Sequence, residues 1–396
     1  MDTLTVNRSR IRSIDFLRGL IMVIMALDHT RDFFHKDGLI GDPLNPDTTS
    51  PILYFTRWIT HFCAPTFVFL SGLSAWLQSK RKSKKELSLF LITRGLWLIA
   101  VDLIIMSFAF TLDIHYGNFV LETLWSIGAG MAILGLIIYL PFNMILALGL
   151  VILFGHNLLD YAEASRAGKV PLWWNFLHLV TIAKLWGDHS LFIFYPFLSW
   201  SGLMMLGYCC GKLFTDVQPQ QRNKILRWTG ACAILVFITL RLINGYGNPQ
   251  HWSEQKDALK TFFSFMNVQK YPPSLLFLCA TMGPMLIFLS LLKEAGNRIS
   301  KIISVYGRVP LFYFIVHFLV LHLAQAITYL ARGHSFEEGM QGLPGLPFKF
   351  AAPGEGYNLF IVYCIWILTV IIMYPFCKWY DNYKINHKEK WWLSYL

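Results

Sequence analysis

Residues 12–35, RSIDFLRGLIMVIMALDHTRDFFH, join an apolar membrane-type segment to a dense set of charges. The middle, Gly19 to Leu27, carries no ionisable side chain, whereas both ends do. A charge in hydrocarbon is expensive, so ionisable residues in a membrane helix usually serve a functional site. We therefore expect a site on this helix, built from Asp15, Arg18, Asp28, His29, Arg31 and Asp32.

The spacing of Arg18 and His29 is specific. They are eleven residues apart, and eleven steps of about 100° return a helix to within about 20° of the same face. Their Cα atoms would lie about 16 Å apart along the helix axis. The pattern predicts a cationic anchor near one membrane face and a base toward the other, on one wall of a cavity.

The composition is that of a polytopic membrane protein. Of the 396 residues, 55% are hydrophobic and only 14% are charged, and the mean hydropathy is +0.47. The net charge of +11 does not indicate a nucleic-acid partner, because basic residues gather in the cytoplasmic loops of membrane proteins. The seven cysteines lie in apolar segments without metal-ligand spacing, so we expect no metal. The first apolar run lacks a small-residue cleavage site and should remain as an anchor.

Windows of about twenty apolar residues predict an all-α bundle of about ten transmembrane helices. We expect one domain, residues 1–396, without internal repeats or a glycine-rich nucleotide loop. Pro141 and its neighbours alone separate the fourth and fifth spans, which predicts a tight helical hairpin. The predicted spans are 14–34, 52–78, 88–111, 121–140, 142–159, 190–213, 226–245, 273–292, 306–330 and 357–378.

The charges in the loops orient this bundle. The run KRKSKKE at 80–86 falls on the side of the N-terminus, whereas the loop 35–51 has three aspartates against one lysine. This bias predicts that both termini are cytoplasmic, including a tail at 379–396. We interpret KRKSKKE mainly as a topology signal, and attraction of phosphate to the inner face is the alternative.

His29 is the leading candidate for chemistry. Asp32 follows three residues later and can meet it on the same helix face. A carboxylate that orients an imidazole and supports its proton affinity is a common way to build a general base. Proton coupling and a purely structural hydrogen bond are the alternative interpretations of this histidine.

Polar residues on other predicted helices match the depths of Arg18 and His29. On the second helix, Arg57 and His61 lie near the outer side, just before a proline that should kink the helix. On the third helix, Arg94 falls at the depth of Arg18, and Asp102 falls about 12 Å further out. An ion-pair network that holds the bundle together is the alternative for Arg94 and Asp102.

The ninth predicted helix repeats this arrangement. Arg308 lies at its inner end, and His317 follows nine residues later, about 13 Å further out. Tyr195, Pro196 and Ser199 on the sixth predicted helix are possible cavity-lining residues, and His322 falls near the outer interface, but for these four we prefer packing to chemistry.

Four segments carry a resemblance to a known family. They are RSIDFLRG, LDHTRDFFH, FCAPTFVFLSG and YGRVPLFYFIVHFLVLH, in this order between residue 10 and about residue 325. The pair Arg18 and His29 resembles the Arg-x10-His signature of transmembrane acyltransferases. The four segments together resemble the bacterial relatives of heparan-α-glucosaminide N-acetyltransferase.

The resemblance implies a membrane enzyme that takes an acetyl or other acyl group from cytoplasmic acyl-CoA. The acceptor would be an amine or hydroxyl of a sugar or glycan reached from the outer side of a bacterial cytoplasmic membrane. Transfer could proceed directly in a ternary complex or through an acyl-histidine. The sequence leaves a homodimer open.

The same resemblance, taken with the matched depths, suggests roles for the singled-out residues. His29 would act as the general base. In the mammalian members the essential histidine lies between the first two helices, so His35 and His61 remain alternative bases. We assign catalysis to His29, Asp28 and Asp102, and His29 would be oriented by Asp28, Asp32 or Asp102. Acyl-CoA binding is assigned to Arg18, Arg94 and Arg308. Acceptor binding is assigned to Arg57, His61 and His317.

Two other classes of function fit parts of the pattern. A proton-coupled transporter or lipid flippase could use the same buried histidines, aspartates and arginines as a proton relay. The lack of an inverted repeat disfavours it. A non-catalytic sensor would leave the charged first helix unexplained.

Overall fold

The structure is a computed structural model that describes residues 11–39, 41–292, 297–343, 345–352 and 354–394. The predicted cytoplasmic residues 1–10 lie outside these ranges. The helices of the first half are α1 (Arg12–Phe34), α2 (Pro51–Ile59), α3 (Cys63–Ser79), α4 (Lys84–Val101), α5 (Ser107–Thr111), α6 (Thr123–Ile137), α7 (Phe142–Gly155), α8 (Leu158–Ser165) and α9 (Leu172–Leu177). Those of the second half are α10 (Leu198–Gly211), α11 (Pro219–Ile243), α12 (Ala258–Met266), α13 (Leu275–Leu291), α14 (Arg298–Arg308), α15 (Pro310–Ala331), α16 (Phe336–Gln341) and α17 (Leu359–Asn386).

Short turns of 3-10 or π-helical geometry connect some of these helices. A 3-10 turn, Thr60–Phe62, joins α2 to α3, and a π-helical turn, Asp102–Met106, joins α4 to α5. Two further 3-10 turns lie at Lys212–Phe214 and Trp391–Ser394. Both joined pairs run on as continuous helical segments, which places Thr60 and Asp102 inside membrane-length helices.

Five helical segments of the described chain are long and apolar enough to cross a membrane, and α7 with α8 makes a sixth if this pair, bent by 45°, counts as one span. The helices α6 and α13 are apolar but shorter. Each of the ten predicted spans overlaps a helix, whereas the count of ten and the cytoplasmic side of the termini remain predictions. The five segments are Pro51–Ser79, Lys84–Thr111, Pro219–Ile243, Pro310–Ala331 and Leu359–Asn386.

A small sheet interrupts the predicted all-helical pattern. Its strands are β1 (Asn118–Leu121), β2 (Thr181–Lys184) and β3 (Ser190–Ile193), in the order β1-β3-β2. β1 is parallel to β3, and β2 is antiparallel to it. The predicted sixth span therefore begins too early, since α10 starts at Leu198. Pro196 favours extended backbone in the residue before it, which separates strand from helix.

Side-chain caps explain where several helices begin. Ser83 and Glu86 form a capping box at the start of α4, directly after the basic run. Ser50, Ser274 and Asn297 accept hydrogen bonds from the first turns of α2, α13 and α14. These caps pair backbone groups that helix ends otherwise leave without partners.

The helix α1 lies in the middle of the bundle, packed against α3, α14, α15 and α17. Gly19 on α1 and Gly307 on α14 allow their backbones to touch, because a Cβ at either position would overlap the facing chain. Small residues at such crossings are typical of membrane helices. We call the end of the bundle at Arg12 the basic end, and the end at Phe34 the far end.

Candidate active site

A cavity of about 80 Å³ lies beside the far half of α1. Residues of α1 form one side of it, and helices α3, α5, α6 and α15, with the turn before α3 and several loops, form the rest. It is lined by Met25, Asp28, His29, Asp32, Phe33, Thr60, Cys63, Ala64, Phe67, Phe110, Glu122, Thr123, Tyr195, Lys270, Tyr271, Phe314, Phe318 and Phe348.

His29 and His317 form a stacked imidazole pair at this cavity. Nδ1 of His29 lies 2.8 Å from Nε2 of His317, and the two rings are 5.0 Å apart and nearly parallel. Nδ1 of His317 lies 2.6 Å from the carbonyl oxygen of Tyr313, one turn back on α15. His317 is fully buried and lies behind His29, whereas His29 lines the cavity.

This chain of contacts fixes the proton positions of the neutral pair. A carbonyl oxygen can only accept, so Nδ1 of His317 carries its proton and donates to Tyr313. Nε2 of His317 then holds a lone pair and accepts the proton that Nδ1 of His29 donates. Nε2 of His29 is therefore left with its lone pair, which is the form that a general base requires.

The residue that orients His29 is thus a histidine, whereas the sequence suggested a carboxylate. Asp32 forms an ion pair with Arg31, its neighbour in the chain. Asp28 contacts Arg57 and Arg31. His317, expected at the acceptor, instead contacts His29.

Asp28 is the centre of a buried ion cluster. Its Oδ2 lies 2.6 Å from Nη1 of Arg57 and 3.9 Å from Nζ of Lys270, and its Oδ1 lies 2.8 Å from Nη1 of Arg31. Three cations around one carboxylate keep Asp28 ionised and tie α1 to α2 and to the loop before α13. Arg57, which we predicted to bind the acceptor, therefore forms an ion pair with Asp28.

Three far-end loops supply a polar wall across from His29, which we call the far wall. It consists of Glu122 and Thr123 at the start of α6, Tyr195 after β3, and Lys270 and Tyr271 before α13. Burial raises the pKa of the Glu122 carboxyl to about 7, so its charge changes near neutral pH. The far wall therefore brings the carboxyl of Glu122, the amine of Lys270 and the phenols of two tyrosines to one cavity.

Glu122 and Lys270 were not among the residues predicted from the sequence. Each is the only charged residue at the start of an apolar segment, at 118–140 and 267–292. A related signal, ionisable residues at the ends of an apolar segment, marked α1. It was weaker here, because the first turn of a helix is also an ordinary place for a charge.

Asp102 acts through the backbone of the far wall. Its Oδ2 accepts hydrogen bonds from the backbone N–H groups of Glu122, at 2.7 Å, and Trp125, at 2.8 Å. Asp102 therefore caps α6 and fixes the position of Glu122. It is not among the residues that line the cavity.

The two alternative bases are placed differently. His61 is buried beside Phe277, and neither ring nitrogen has a hydrogen-bond partner within the described ranges. It lies one residue from the cavity-lining Thr60 but does not itself line the cavity. His35 ends α1 at the far end, where its Nδ1 accepts from the backbone of Asp37.

Arg18 lies at the basic end, as its spacing from His29 predicts. Nη1 donates to the carbonyl of Gly307 at 3.0 Å, and Nη2 donates to Oγ of Ser74 at 3.1 Å. Asp15 lies 3.4 Å from the same guanidinium. Arg18 therefore joins α1 to α3 and α14, which shows that these helix ends lie together.

Two cavities open at the basic end. One, of about 290 Å³, is lined by Arg12, Asp15, Lys301, Ser304 and Arg308. Arg308 there forms an ion pair with Asp381 at 2.6 Å. The other, of about 300 Å³, includes two lysines of the KRKSKKE run. Arg94, half-buried on α4, lines neither of them. The second cavity is lined by Trp76, Ser79, Lys82, Lys84, Leu87, Ile138, Leu140, Pro141, Phe142, Ile145 and Tyr208.

Comparison with known proteins gives one family. The family model for heparan-alpha-glucosaminide N-acetyltransferase, catalytic, matches residues 10–241, which is more than half of the chain. A search of curated proteins gives no match. The matched range contains α1 with Asp28 and His29, Arg57, which pairs with Asp28, and Glu122 and Tyr195 of the far wall. The chain is a mostly helical membrane protein that belongs to the heparan-alpha-glucosaminide N-acetyltransferase family.

Proposed function

We propose that this protein transfers an acetyl group from acetyl-CoA to an amine or hydroxyl of a sugar or glycan, with His29 as the general base. The observation that carries the proposal is the His29–His317–Tyr313 chain of contacts, which leaves Nε2 of His29 basic beside a polar cavity. Membership in an acetyltransferase family supports the reaction class.

The reaction needs one base and one acid, and His29 can supply both in turn. Nε2 takes the proton of the acceptor N–H or O–H while that atom attacks the thioester carbonyl carbon. When the carbon–sulfur bond breaks, the imidazolium returns the proton to the sulfur of coenzyme A. No covalent enzyme intermediate is required, so we favour direct transfer within a ternary complex.

The charged residues of the cavity have different tasks. Asp28 is fully engaged with three cations and remains an anion that positions them. Lys270 lines the cavity and can stabilise the negative charge that develops on the carbonyl oxygen. Glu122 and the two tyrosines of the far wall offer hydrogen bonds to the acceptor. No metal enters this mechanism.

The donor would enter at the basic end. Arg308, Arg12 and Lys301 line a cavity there, and an arginine fork suits phosphate oxygens. Arg18 lies on the helix that leads from this end to His29, about 16 Å away. We propose that Arg308 holds acyl-CoA at this cavity, with the cytoplasm on this side. Arg18 and Arg94 line neither basic-end cavity, and their assignment to acyl-CoA rests on their depth along the helices and on the family resemblance.

Binding and transfer can be tested together on the purified protein in nanodiscs. Acetyl-CoA should raise the melting temperature, and labelled acetyl should appear on members of an amino-sugar and glycan panel. Arg18→Ala should raise the KM for acetyl-CoA about tenfold, the value of one charge-assisted hydrogen bond. Arg332→Ala, an exposed arginine at the far end, serves as the matched control.

The two halves of this experiment separate the candidate functions. If acetyl-CoA neither raises the melting temperature nor supplies acetyl groups to the panel, the enzyme function is contradicted. The proton-coupled transporter or flippase then remains. Stabilisation by acetyl-CoA with transfer to none of the panel would keep the donor site and reject the proposed acceptor class.

A further inference from the structure

A second imidazole pair lies in the far-end loops, outside the candidate active site. His156 follows α7, at its bend into α8, and His178 follows α9. Nδ1 of His156 lies 3.1 Å from Nε2 of His178. Behind His178 are two carboxylates of α8, Asp160 and Glu163.

The three groups Asp160, Glu163 and His178 have the spacing of metal ligands. Nδ1 of His178 lies 2.8 Å from Oε1 of Glu163 and 4.0 Å from Oδ1 of Asp160. All three ligand atoms lie within 4.8 Å of one another. Ligands of a tetrahedral zinc ion, each at about 2.0–2.2 Å, lie roughly 3.3–3.6 Å from one another. Shifts of about 1 Å, which open the contact between His178 and Glu163 and bring Asp160 closer, would place all three on one ion.

The charges of this cluster also favour a cation. Among the described residues, His178 is the one basic side chain within ion-pair distance of either carboxylate. Their other donors are neutral: Nε1 of Trp174 donates to Glu163 at 2.6 Å, and Nδ2 of Asn157 donates to Asp160 at 2.7 Å. Glu163 is buried, and a buried carboxylate without a cation is costly.

His156 provides a separate observation. It is only 3% exposed, and its Nε2 has no hydrogen-bond partner within the described ranges. With His178 bound to a metal through Nδ1, the Nε2–H of His178 would donate to Nδ1 of His156. Metal-bound histidines almost always have such a partner at their second nitrogen. The pair thus has the arrangement of a ligand and its supporting residue.

We propose that Asp160, Glu163 and His178 bind a divalent transition-metal ion of the Zn²⁺ or Mn²⁺ type, with His156 positioning His178. Imidazole nitrogen suits these ions, whereas Ca²⁺ and Mg²⁺ prefer sites made of oxygen alone. The cysteine spacing gives no sign of this site, because its ligands are carboxylates and a histidine from separate helices.

The position of the ion suggests a structural task. It would fasten α8 to the end of α9, and α9 contacts the loop before α10 through the hydrogen bond from Phe197 N to Phe176 O, at 3.0 Å. That loop contains Tyr195 of the far wall. The ion would therefore stabilise the far-end loops without contacting the reacting groups.

The test is metal content and melting temperature of the full-length protein. After treatment with EDTA and dialysis, the protein is given Zn²⁺, Mn²⁺ or Ca²⁺ alone, and bound metal is counted by mass spectrometry. We expect one Zn²⁺ or Mn²⁺ per chain and a rise in melting temperature, with no response to Ca²⁺. His178→Gln and Glu163→Gln should abolish both effects, and His156→Gln should weaken affinity about 10- to 100-fold.

Two controls keep the result decisive. His251→Gln removes an exposed far-end histidine and should leave metal binding intact. Asp160→Asn changes a partly exposed ligand and should still fold if His178→Gln does not. No retained metal in the wild type, or wild-type retention by both Asp160→Asn and Glu163→Gln, would overturn the proposal. Both readouts are independent of acetyl transfer.

Discussion

Two imidazole pairs in this protein have the same contact between their rings but different surroundings. In each pair, Nδ1 of the first histidine meets Nε2 of the second, at 2.8 Å for His29 and His317 and at 3.1 Å for His156 and His178. Nδ1 of the second histidine meets a backbone carbonyl in one pair and the carboxylate of Glu163 in the other.

This difference separates two kinds of chemistry. A backbone carbonyl behind His317 fixes one tautomer and adds no charge, and the first imidazole, His29, opens onto a cavity. Two carboxylates behind His178 add negative charge, while the first imidazole, His156, is closed off. The same pair therefore suits proton transfer in one place and cation binding in the other.

Removal of His29 should have the largest effect. General-base help is worth about 10²–10⁴-fold, so His29→Ala should lower kcat by that range while acetyl-CoA still stabilises the protein. Loss of His178 should instead cost metal retention. His251→Ala is the control for kcat, and a His29→Ala protein with wild-type kcat would show that the base is elsewhere.

The carboxylates of the two regions should also differ in their effect on stability. Asp28→Asn leaves three cations without their full counter-charge, which should cost about 3–5 kcal/mol. Asp160→Asn in metal-free protein removes a charge that has no lysine or arginine partner in the described chain. Its loss, followed by thermal or denaturant unfolding, should be much smaller. Equal losses would show that Asp28 is not held by its cations.

The orientation of His29 by His317 can be tested with two substitutions. His317→Phe removes the acceptor and should lower kcat about tenfold, by the value of one hydrogen bond, with little change in the KM for acetyl-CoA. His317→Gln retains an acceptor and should restore much of that loss and the wild-type pH profile. Equal defects in both variants would indicate packing rather than orientation.

The most gradual expected effect concerns Glu122 and pH. Its pKa is raised in the folded protein, from 4.5 to about 7, so the folded state binds the proton more tightly. Stability should therefore fall as pH rises from about 4.5 to 7, by at most about 1.4 kcal/mol per pH unit for one proton. Glu122→Gln should lack this slope in melting temperature. A slope that persists in the variant would assign it to another group.

The sequence was sufficient for the longer apolar helices and for α1. Each of the ten predicted apolar windows overlaps a helix, and the eleven-residue spacing placed Arg18 and His29 at opposite ends of one helix. These features are local, because they depend on periodicity along a single segment. Local patterns also explain the strand β3 only in retrospect, through Pro196.

The partners of His29 could not be obtained in the same way. Depth matching brought His317 and Asp102 to the right level but gave no rotation about the helix axes. His317 therefore turned out to lie behind His29, and Asp102 turned out to cap α6. Lys270 lies 241 residues from His29 in the chain, and only tertiary packing places it at the cavity.

A structure with a hydrolysis-resistant acetyl-CoA analogue would test the central claim most directly. We predict that the acetyl carbonyl lies in the cavity lined by His29 and Lys270, and that the phosphates lie at the basic end beside Arg308. An acetyl group outside this cavity, for example with the analogue confined to the cavity of Lys82 and Lys84, would contradict the account.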